Sequence, residues 1–401
     1  MAHFGATSTH RVELQGTTAL AAVAMLIAVA FGLSALITPL YVIYQQQLGF
    51  SQITLTLIYA AYALGNIAAL LFFGRISDRA GRRLVALSSI ATLGAAALVF
   101  LIGRGIATLY IARILSGLGI GIASGTGNAW LAELVGGSDK TRAAMIGTSS
   151  NFLGLGVAAL LSGLLAQYAP WPLHLSFIVY LAVLGVVAGL VWFTHETVQH
   201  RDARGIGIHL ELSLPRDIRA QFVAPAITGF GLMSLVGFYA ALMPTILSHD
   251  LRIENHAAAG TMFFELAVVV AAVIAATQTF ASHASMLWSL ALMIPAASSI
   301  VAAQVSASLW VMLTATAAVA ASAGLGYRAS LQVVNESAPA DKRAAVMSIY
   351  FICCFVGNAV PVVGVGVLSS FTSSILADIA FACTIAAFAV VALIFGLLYR
   401  R

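Results

Sequence analysis

Four charged side chains stand inside otherwise apolar stretches of this sequence: Arg113, Glu265, Arg328 and Asp378. A charge in the middle of a lipid bilayer costs at least about 2.5–3.5 kcal/mol, so each needs a partner or a water-filled cavity. Glu265 lies near the centre of its stretch, and burial of a carboxyl group disfavours its charged form. Glu265 is therefore predicted to bind and release protons, the alternative being a structural Glu paired with a buried Arg.

The two arginines suit a second chemistry, the attraction of an anion. Arg113 lies about seven residues inside its predicted helix, and we expect it to influence Glu265 directly or through water. The alternative is that its side chain extends to the lipid headgroups. Arg328 could draw in an anionic substrate, extend to the surface, or pair with Glu336. Asp378 stands close to a predicted helix end, where we expect it to be solvated.

No catalytic constellation accompanies these charges. The sequence has no phosphate-binding glycine loop followed by Lys and Ser or Thr, so drive by ATP is not supported. Its 9 histidines show no metal-ligand spacing with Cys or carboxylates. A weak metal site at His249, Asp250 and His256 is the least favoured alternative. We therefore predict no enzyme activity, no cofactor and no metal.

The composition indicates that this chain is embedded in a lipid bilayer. Of its 401 residues 61% are hydrophobic and only 8% are charged, against roughly 25% charged in soluble proteins. Residues 14–74, 143–195, 266–327 and 344–377 contain no Asp, Glu, Lys or Arg. A membrane-spanning helix needs about 20 apolar residues, so these stretches hold several helices. They lack the polar–apolar alternation of barrel strands, which predicts an all-helical bundle.

The apolar runs predict an all-α membrane protein with twelve transmembrane helices, and this even number puts both termini on one side. That side would carry 15 of the 19 Lys and Arg residues, which identifies it as the cytoplasm. The net charge of +5 thus reflects orientation in the membrane and not nucleic-acid binding. The predicted spans are 19–44, 54–76, 83–103, 106–133, 143–169, 173–194, 222–247, 257–279, 286–305, 308–334, 344–369 and 374–398.

The two halves of the chain look like repeats. Residues 195–221 form the only long polar segment and are predicted to link a six-helix half at 1–194 to another at 222–401. Gly32 and Pro39 near the end of the first span correspond to Gly237 and Pro244 in the seventh. The loops at 138–144 and 340–345 also share an Asp-Lys pair followed by Arg and two Ala. Two pseudo-symmetric halves with a substrate site between them are typical of secondary transporters.

The segment 74–83, between the second and third predicted spans, is dense in glycine and charge. It resembles the signature of the major facilitator superfamily through Gly74, Asp78, Arg79, Gly81, Arg82 and Arg83. In the fourth span, Arg113 with Gly117 and Gly119 resembles a second motif of that family. The glycines of the fifth span partly resemble the motif of its proton-driven drug exporters, but the Pro expected beside the central glycine is missing; they are Gly147, Gly154, Gly156 and Gly163.

The resemblance implies a monomeric carrier whose halves rock about a site near the midplane of the bilayer. It implies that Asp78 latches the inner side of the bundle, and that Arg113 takes part in proton coupling. The residues expected at this inner gate are Asp78, Arg79, Arg82, Arg83, Glu133, Arg142, Glu336 and Arg343. Positive-inside anchoring would explain the arginines but not Asp78.

Polar and aromatic residues within the predicted spans are candidates to line the substrate cavity. They are Tyr41, Tyr44, Tyr62, Asn66, Asn128, Asn151, Tyr239, Arg328 and Asn358, with Tyr59 also considered. Asn66 and Asn358 occupy corresponding helices of the two halves. In the fourth span, Gly117, Gly121 and Gly125 share one face and are expected to allow close helix packing.

We therefore expect a multi-pass carrier of the bacterial inner membrane whose partners are a small-molecule substrate, protons and lipid. The first hypothesis is proton-coupled export of small organic or drug-like molecules, with Glu265 as proton carrier and Arg113 tuning it. The second is uptake or exchange of an organic anion, with Arg113 and Arg328 as charge complement. A channel or a membrane enzyme is less favoured, because no filter motif, nucleophile or metal cluster is evident.

Overall fold

A computed structural model of the chain describes residues 13–73, 76–136, 139–198, 213–339 and 342–399. The described part is α-helical, with a single isolated β-bridge between Leu14 and Thr194. Its α-helices are α1 Gly16–Leu36, α2 Tyr41–Leu48, α3 Gln52–Phe73, α4 Ile76–Ala80, α5 Arg82–Ile102, α6 Ile106–Leu134, α7 Lys140–Tyr168, α8 Leu175–Phe193, α9 Arg219–His249, α10 His256–Ala276, α11 Ser282–Val305, α12 Leu309–Ser337, α13 Arg343–Phe371 and α14 Ser374–Leu398.

Twelve segments of the described part are long and apolar enough to cross a membrane, which confirms the predicted all-α fold. The first crossing differs from the single helix expected at 19–44. Helices α1 and α2 are joined by the 3₁₀ turn Thr38–Leu40, which contains Pro39. Proline lacks a backbone N–H and disfavours a helical conformation in the residue before it, so the helix is interrupted there.

The packing of the helices repeats between the two sets of six crossings. Helix α1 packs on α7 as α9 packs on α13, and α5 packs on α6 as α11 packs on α12. The two sets meet along two interfaces, α7 with α10 and α3 with α13. In the repeat, α3 corresponds to α10 and α7 corresponds to α13, so exchanging the two sets turns one interface into the other. The helix packing therefore has the pseudo-twofold arrangement that sequence repeats produce.

We call the face of the bundle that carries Arg82, Arg83, Arg142 and Arg343 the basic face, and the opposite one the distal face. Contacts between the two sets are concentrated in the distal half. A Cβ on Gly366 of α13 would collide with the side chain of Thr56 in α3. On the other interface, the backbone N–H of His256 donates to Oε1 of Gln167 at 2.8 Å. The distal face of the bundle is therefore closed.

The basic half is more open along α6. Gly125 has no neighbour within 4 Å of the position of a Cβ, and both Gly125 and Asn128 are exposed. The two other glycines of this stripe pack tightly, since a Cβ on Gly117 would meet the carbonyl of Tyr62 and one on Gly121 would meet the Cβ of Ala69. The expected glycine packing is thus confirmed for Gly117 and Gly121 and wrong for Gly125. The described part of the bundle is therefore more open along α6 at the basic face than at the distal contacts.

Candidate functional site

Arg113 is completely buried in α6, between α1 and α3. Its guanidinium donates to the backbone carbonyls of Ser34 at 3.3 Å and Tyr59 at 3.2 Å. Its carbon Cζ lies 4.7 Å from the ring centroid of Tyr62 and 5.3 Å from that of Tyr59. Carbonyl oxygens and aromatic faces thus stabilise this cation instead of a carboxylate. The suggestion that Arg113 extends to the lipid headgroups is wrong, because the helices of its own half enclose it.

The hydroxyl of Tyr59 links this arginine to the second half of the chain. It donates a 2.7 Å hydrogen bond to Oδ1 of Asn358 in α13. The amide nitrogen of Asn358 donates in turn to the carbonyl of Met233 in α9 at 3.1 Å. Asn66, predicted to correspond to Asn358, donates instead to the carbonyl of Tyr62 within α3. The buried bridge between the halves is therefore Tyr59–Asn358.

Several candidate cavity residues have buried polar atoms without a hydrogen-bond partner among the described residues. These atoms are the hydroxyls of Tyr41 and Tyr44 and the Oδ1 atoms of Asn66 and Asn151. Tyr41 lies close enough to Arg113 to interact with it electrostatically. Buried polar groups are normally satisfied by protein, water or ligand, so these atoms have capacity for ligand or water contacts.

Glu265 lies in α10 where that helix crosses α7. Its neighbours Phe264 and Ala267 fill the space beside Gly156 of α7, which brings the two helices together. Oε2 of Glu265 is buried and has no hydrogen-bond partner in the described part of the chain. The hydroxyl of Tyr239, which bonds Oγ1 of Thr316 at 3.2 Å, lies within electrostatic range of this carboxyl. No direct contact joins Glu265 to Arg113 within the described ranges.

The cavity candidate Asn128 lies in the basic half of α6. Asn128 donates to the carbonyl of Ser124 at 2.8 Å within α6, and its Oδ1 lies beside Gly147 of α7. Phe152 of α7 and Tyr327 of α12 form an edge-to-face ring pair with centroids 5.9 Å apart. Amide and aromatic groups thus lie close together between α6, α7 and α12.

Arg328 is tied to the connection between α10 and α11. It donates to the carbonyls of Gln278 at 3.3 Å and Phe280 at 3.2 Å, and to the hydroxyl of Ser285 at 3.3 Å. It makes no ion pair with Glu336, because Gln332 stands between them and donates to that carboxylate at 2.9 Å. The contacts of Arg328 therefore fasten a loop and use N–H donors on both terminal nitrogens that an anionic substrate would need.

At the predicted inner gate, Arg82 is the buried centre of an ion-pair cluster. Its guanidinium contacts the carboxylates of Asp78 at 2.5 Å and Glu133 at 2.6 Å, and donates to the hydroxyl of Ser77 at 2.6 Å. All four residues belong to the first six-crossing half. The cluster thus fastens α4 to α5 and α6 on one side of the entrance. Gly74 and Arg75 of the signature lie outside the described residues.

The start of α5 is capped by a residue that sequence reasoning missed. The carboxylate of Glu196, just after α8, accepts hydrogen bonds from the backbone N–H groups of Arg82 at 2.9 Å and Arg83 at 3.1 Å. These are orphan donors at a helix N-terminus, where a negative charge is also favoured by the helix dipole. Glu196 therefore holds the segment after α8 against the signature loop.

The segment before α1 joins the same cluster through Glu13. Oε1 of Glu13 contacts Arg83 at 3.1 Å and Oε2 contacts Nδ1 of His195 at 2.7 Å. The hydrogen bonds from His195 and Arg83 lower the pKa of Glu13 below its usual value. The β-bridge between Leu14 and Thr194 aligns these side chains. Glu13 thus joins the residues just after α8 to the start of α5 at the basic face.

The other residues predicted at the gate do not pair across the halves in this state. Arg79, Arg142, Glu336 and Arg343 are exposed, and no ion pair joins the two halves at the basic face of the described chain. Asp139 instead caps α7 by accepting from the backbone N–H of Arg142 at 3.0 Å. Absence of cross-half pairs accords with the open basic face.

Asp378 is not solvated, contrary to expectation. It lies in the first turns of α14 with 4% of its surface exposed, and accepts a hydrogen bond from Nε2 of Gln304 in α11 at 2.6 Å. Position near a helix end did not expose it, because α9, α11 and α13 all pack against this end of α14.

Twelve spanning helices in two equivalently packed sets, with buried polar groups where the sets meet, define a secondary transporter. A sequence model of the Major Facilitator Superfamily matches residues 22–362. The chain belongs to that family, whose members carry small molecules across membranes. No individual curated protein matches the chain significantly.

Proposed function

We propose that this carrier exports small organic or drug-like molecules in exchange for protons. Glu265 is the proton carrier in this proposal. The observation that carries it is the buried and unpartnered Oε2 of Glu265, placed where α10 of one half meets α7 of the other. An intramembrane carboxyl without a cationic partner is a default candidate for proton relay.

The coupling follows from the position of Glu265 at the interface. Rocking of the halves changes the packing of α7 against α10, and with it the access of water to this carboxyl. A protonated, neutral Glu265 is compatible with a dry interface, whereas the ionised form requires water or a cation. Proton binding on one side and release on the other can therefore drive the exchange of conformations.

The expected substrate is a neutral or cationic amphipathic molecule. The polar atoms available for contact are the hydroxyls of Tyr41 and Tyr44 and the amides of Asn66 and Asn151, while Phe152 and Tyr327 supply aromatic surface. Tyr62, Asn128, Tyr239 and Asn358 complete the proposed cavity. Glu265 would attract a cationic substrate and release its proton in the same step.

The proposed orientation places the basic face in the cytoplasm of a bacterial cell and the distal face outside the inner membrane. The halves are residues 1–194 and 222–401, joined by 195–221, and the carrier acts as a monomer. The cluster of Arg82 with Asp78 and Glu133 would then form one side of the inner gate. When the basic face closes, Glu336 and Arg343 would approach this cluster from the second half.

Exchange or uptake of an organic anion is the alternative, and one observation favours it. Arg113 is a buried cation with no carboxylate partner among the described residues, and its Nε has no hydrogen-bond acceptor. The second arginine of this hypothesis, Arg328, is already bonded to loop carbonyls. The anion would thus depend on Arg113 alone, which makes this alternative weaker.

The test is proton release by the purified protein on addition of organic cations, neutral drugs and organic anions in turn. We expect a cation or neutral drug to release protons from the wild type, and Glu265→Gln to abolish the release. Glu254→Gln removes an exposed carboxyl from the loop after α9 and serves as the matched control. An undiminished signal in Glu265→Gln would refute the coupling role, and a response to anions alone would favour the alternative.

A further inference from the structure

A second buried carboxyl group lies on the distal face, in a cavity of about 250 Å³ between α3, α9, α13 and the start of α14. Polar groups line it from each element: Gln52 of α3, Thr245 of α9, Ser369 of α13 and Asp378 of α14. Asp250, which directly follows α9, completes the acidic side. The cavity is separate from Glu265, which lies halfway along α10.

Asp378 is held by a single neutral group. Nε2 of Gln304 is 2.6 Å from Oδ2 of Asp378 and 3.5 Å from Oδ2 of Asp250. No Lys, Arg or His forms an ion pair with Asp378 within the described residues. A buried carboxylate that shares one amide with a second carboxylate is poorly compensated, and taking up a proton removes this cost.

The contact can also accommodate a protonated Asp378. Nε2 of Gln304 is only 2.6 Å from Oδ2 of Asp378, so the amide is already in place to share a hydrogen bond with this carboxyl group. Gln304 is 4% exposed, and its Oε1 is buried without a hydrogen-bond partner among the described residues. A half-turn of the amide exchanges its oxygen and nitrogen, which have nearly the same shape. The carbonyl oxygen would then accept the proton of the Asp378 carboxylic acid.

The titratable groups near Asp378 are Asp250 and His249, both at the end of α9 and both lining the cavity. Burial raises the pKa of Asp250, and the neighbouring His249 opposes this. Among the described residues, the other elements around the cavity present neutral polar groups, namely Gln52 from α3, Gln304 from α11, Ser369 from α13 and Ser374 from α14. Thr245 adds a buried hydroxyl oxygen that has no partner in the described chain.

We propose that Asp378 is a second proton-binding site, loaded from the distal face, and that its neutral form stabilises closure of that face. A proton from water binds Oδ2 of Asp378, the charge of the carboxyl changes from −1 to 0, and the O–H donates to Gln304. Gln52 lines the cavity from the first half of the chain and the other groups come from the second. Separation of the halves would therefore admit water, favour the carboxylate and release the proton.

The direct test is infrared spectroscopy of the substrate-free, full-length protein during a pH titration. We expect a pH-dependent carbonyl band of a protonated carboxylic acid that is lost in Asp378→Asn. The same carboxylic acid band should persist in Asp250→Asn and in Glu265→Gln. A band that survives unchanged in Asp378→Asn would overturn the proposal. Because Glu265→Gln is measured in parallel, failure of this site is distinguishable from failure of the proposed coupling at Glu265.

A second measurement tests the link to closure. Ser51 and Ser370 are exposed at the distal ends of α3 and α13, and spin labels there report the separation of the halves. We expect the wild-type distance to shorten as the pH falls, and Asp378→Asn, which imitates the neutral acid, to show the short distance at every pH. If the distance in Asp378→Asn changes with pH as it does in the wild type, the role of Asp378 in closure is refuted.

Gln304→Leu gives an independent variant should Asp378→Asn fail to accumulate. It leaves Asp378 in place and removes the acceptor of its proton. We expect the carboxylic acid band to change in frequency, since the acid loses its hydrogen bond to the amide. A band at the wild-type frequency would contradict the assignment to Asp378.

Discussion

The hydrogen bond from Tyr59 to Asn358 offers a sharp test of how the distal face is held closed. It is 2.7 Å long, buried, and joins α3 of the first half to α13 of the second. Tyr59→Phe removes only the hydroxyl. The ring that lies against Arg113 is retained, and the backbone carbonyl of residue 59 still accepts from that guanidinium.

The size of the effect follows from what the variant leaves behind. Oδ1 of Asn358 would remain buried without a donor, which costs about 1–3 kcal/mol. When the distal face opens, α3 and α13 separate and water can satisfy the same oxygen. The substitution therefore destabilises only the closed state, and we expect the ratio of open to closed molecules to rise about 5- to 150-fold.

The assay is the distance distribution between spin labels at Ser51 and Ser370 in the substrate-free protein at constant pH. We expect Tyr59→Phe to increase the population with the longer distance. Tyr110→Phe is the matched control, since Tyr110 is a partly buried tyrosine of α6 with no hydrogen bond to the other half among the described residues. An unchanged distribution in Tyr59→Phe would refute the reasoning that this bond stabilises closure.

Two further predictions concern stability. Gly154→Ala should lower the melting temperature of the purified protein, because its Cβ would collide with the backbone of Ala28 in α1, and such overpacking costs about 1–3 kcal/mol. Gly185→Ala is the control and should have little effect, because nothing lies within 4 Å of the position of its Cβ. Equal losses of melting temperature in the two variants would contradict this view of the α1–α7 contact. Since the pKa of Glu13 is lowered in the fold, its stabilising contribution is present above the usual pKa of Glu and is lost as the pH falls through the lowered value. The melting temperature of Glu13→Gln should therefore fall less on acidification than that of the wild type. The same dependence of melting temperature on pH in both proteins would refute the contacts assigned to Glu13.

The helical architecture was predictable because a membrane-spanning helix is recognised from the average hydrophobicity of about 20 consecutive residues. Each crossing needs a run of apolar residues, and the runs of this sequence are long and nearly free of charge. Pro39 marks the break in the first crossing, as expected of a proline inside a span; the apolar run alone gives no sign of it, because the run continues from α1 into α2. A hydropathy pattern does not distinguish a continuous helix from two that share one axis.

The candidate site was only partly predictable, since its contacts join residues far apart in the chain. Residue types identified Arg113 and Glu265 as unusual, but not that backbone carbonyls and tyrosine rings would stabilise the charge of Arg113. The burial of Asp378 depends on Gln304, 74 residues earlier, a neutral residue that gives no signal by itself. The cap that Glu196 provides for α5 likewise required the three-dimensional fold.

The environments of the two central charges suggest different roles for them. The carbonyls and ring faces around Arg113 come from α1 and α3, in the same half of the chain. They would move with Arg113 as one body during rocking, so the field around this cation would change little. Glu265 instead lies between Phe264 and Ala267 in sequence order, two residues that pack on Gly156 of α7 in the opposite half, so its surroundings would change when that interface changes. A ligand can shift a conformational equilibrium only if its affinity differs between the two states. We infer that Glu265 meets this condition for a proton, whereas Arg113 contributes a nearly constant positive charge to both states.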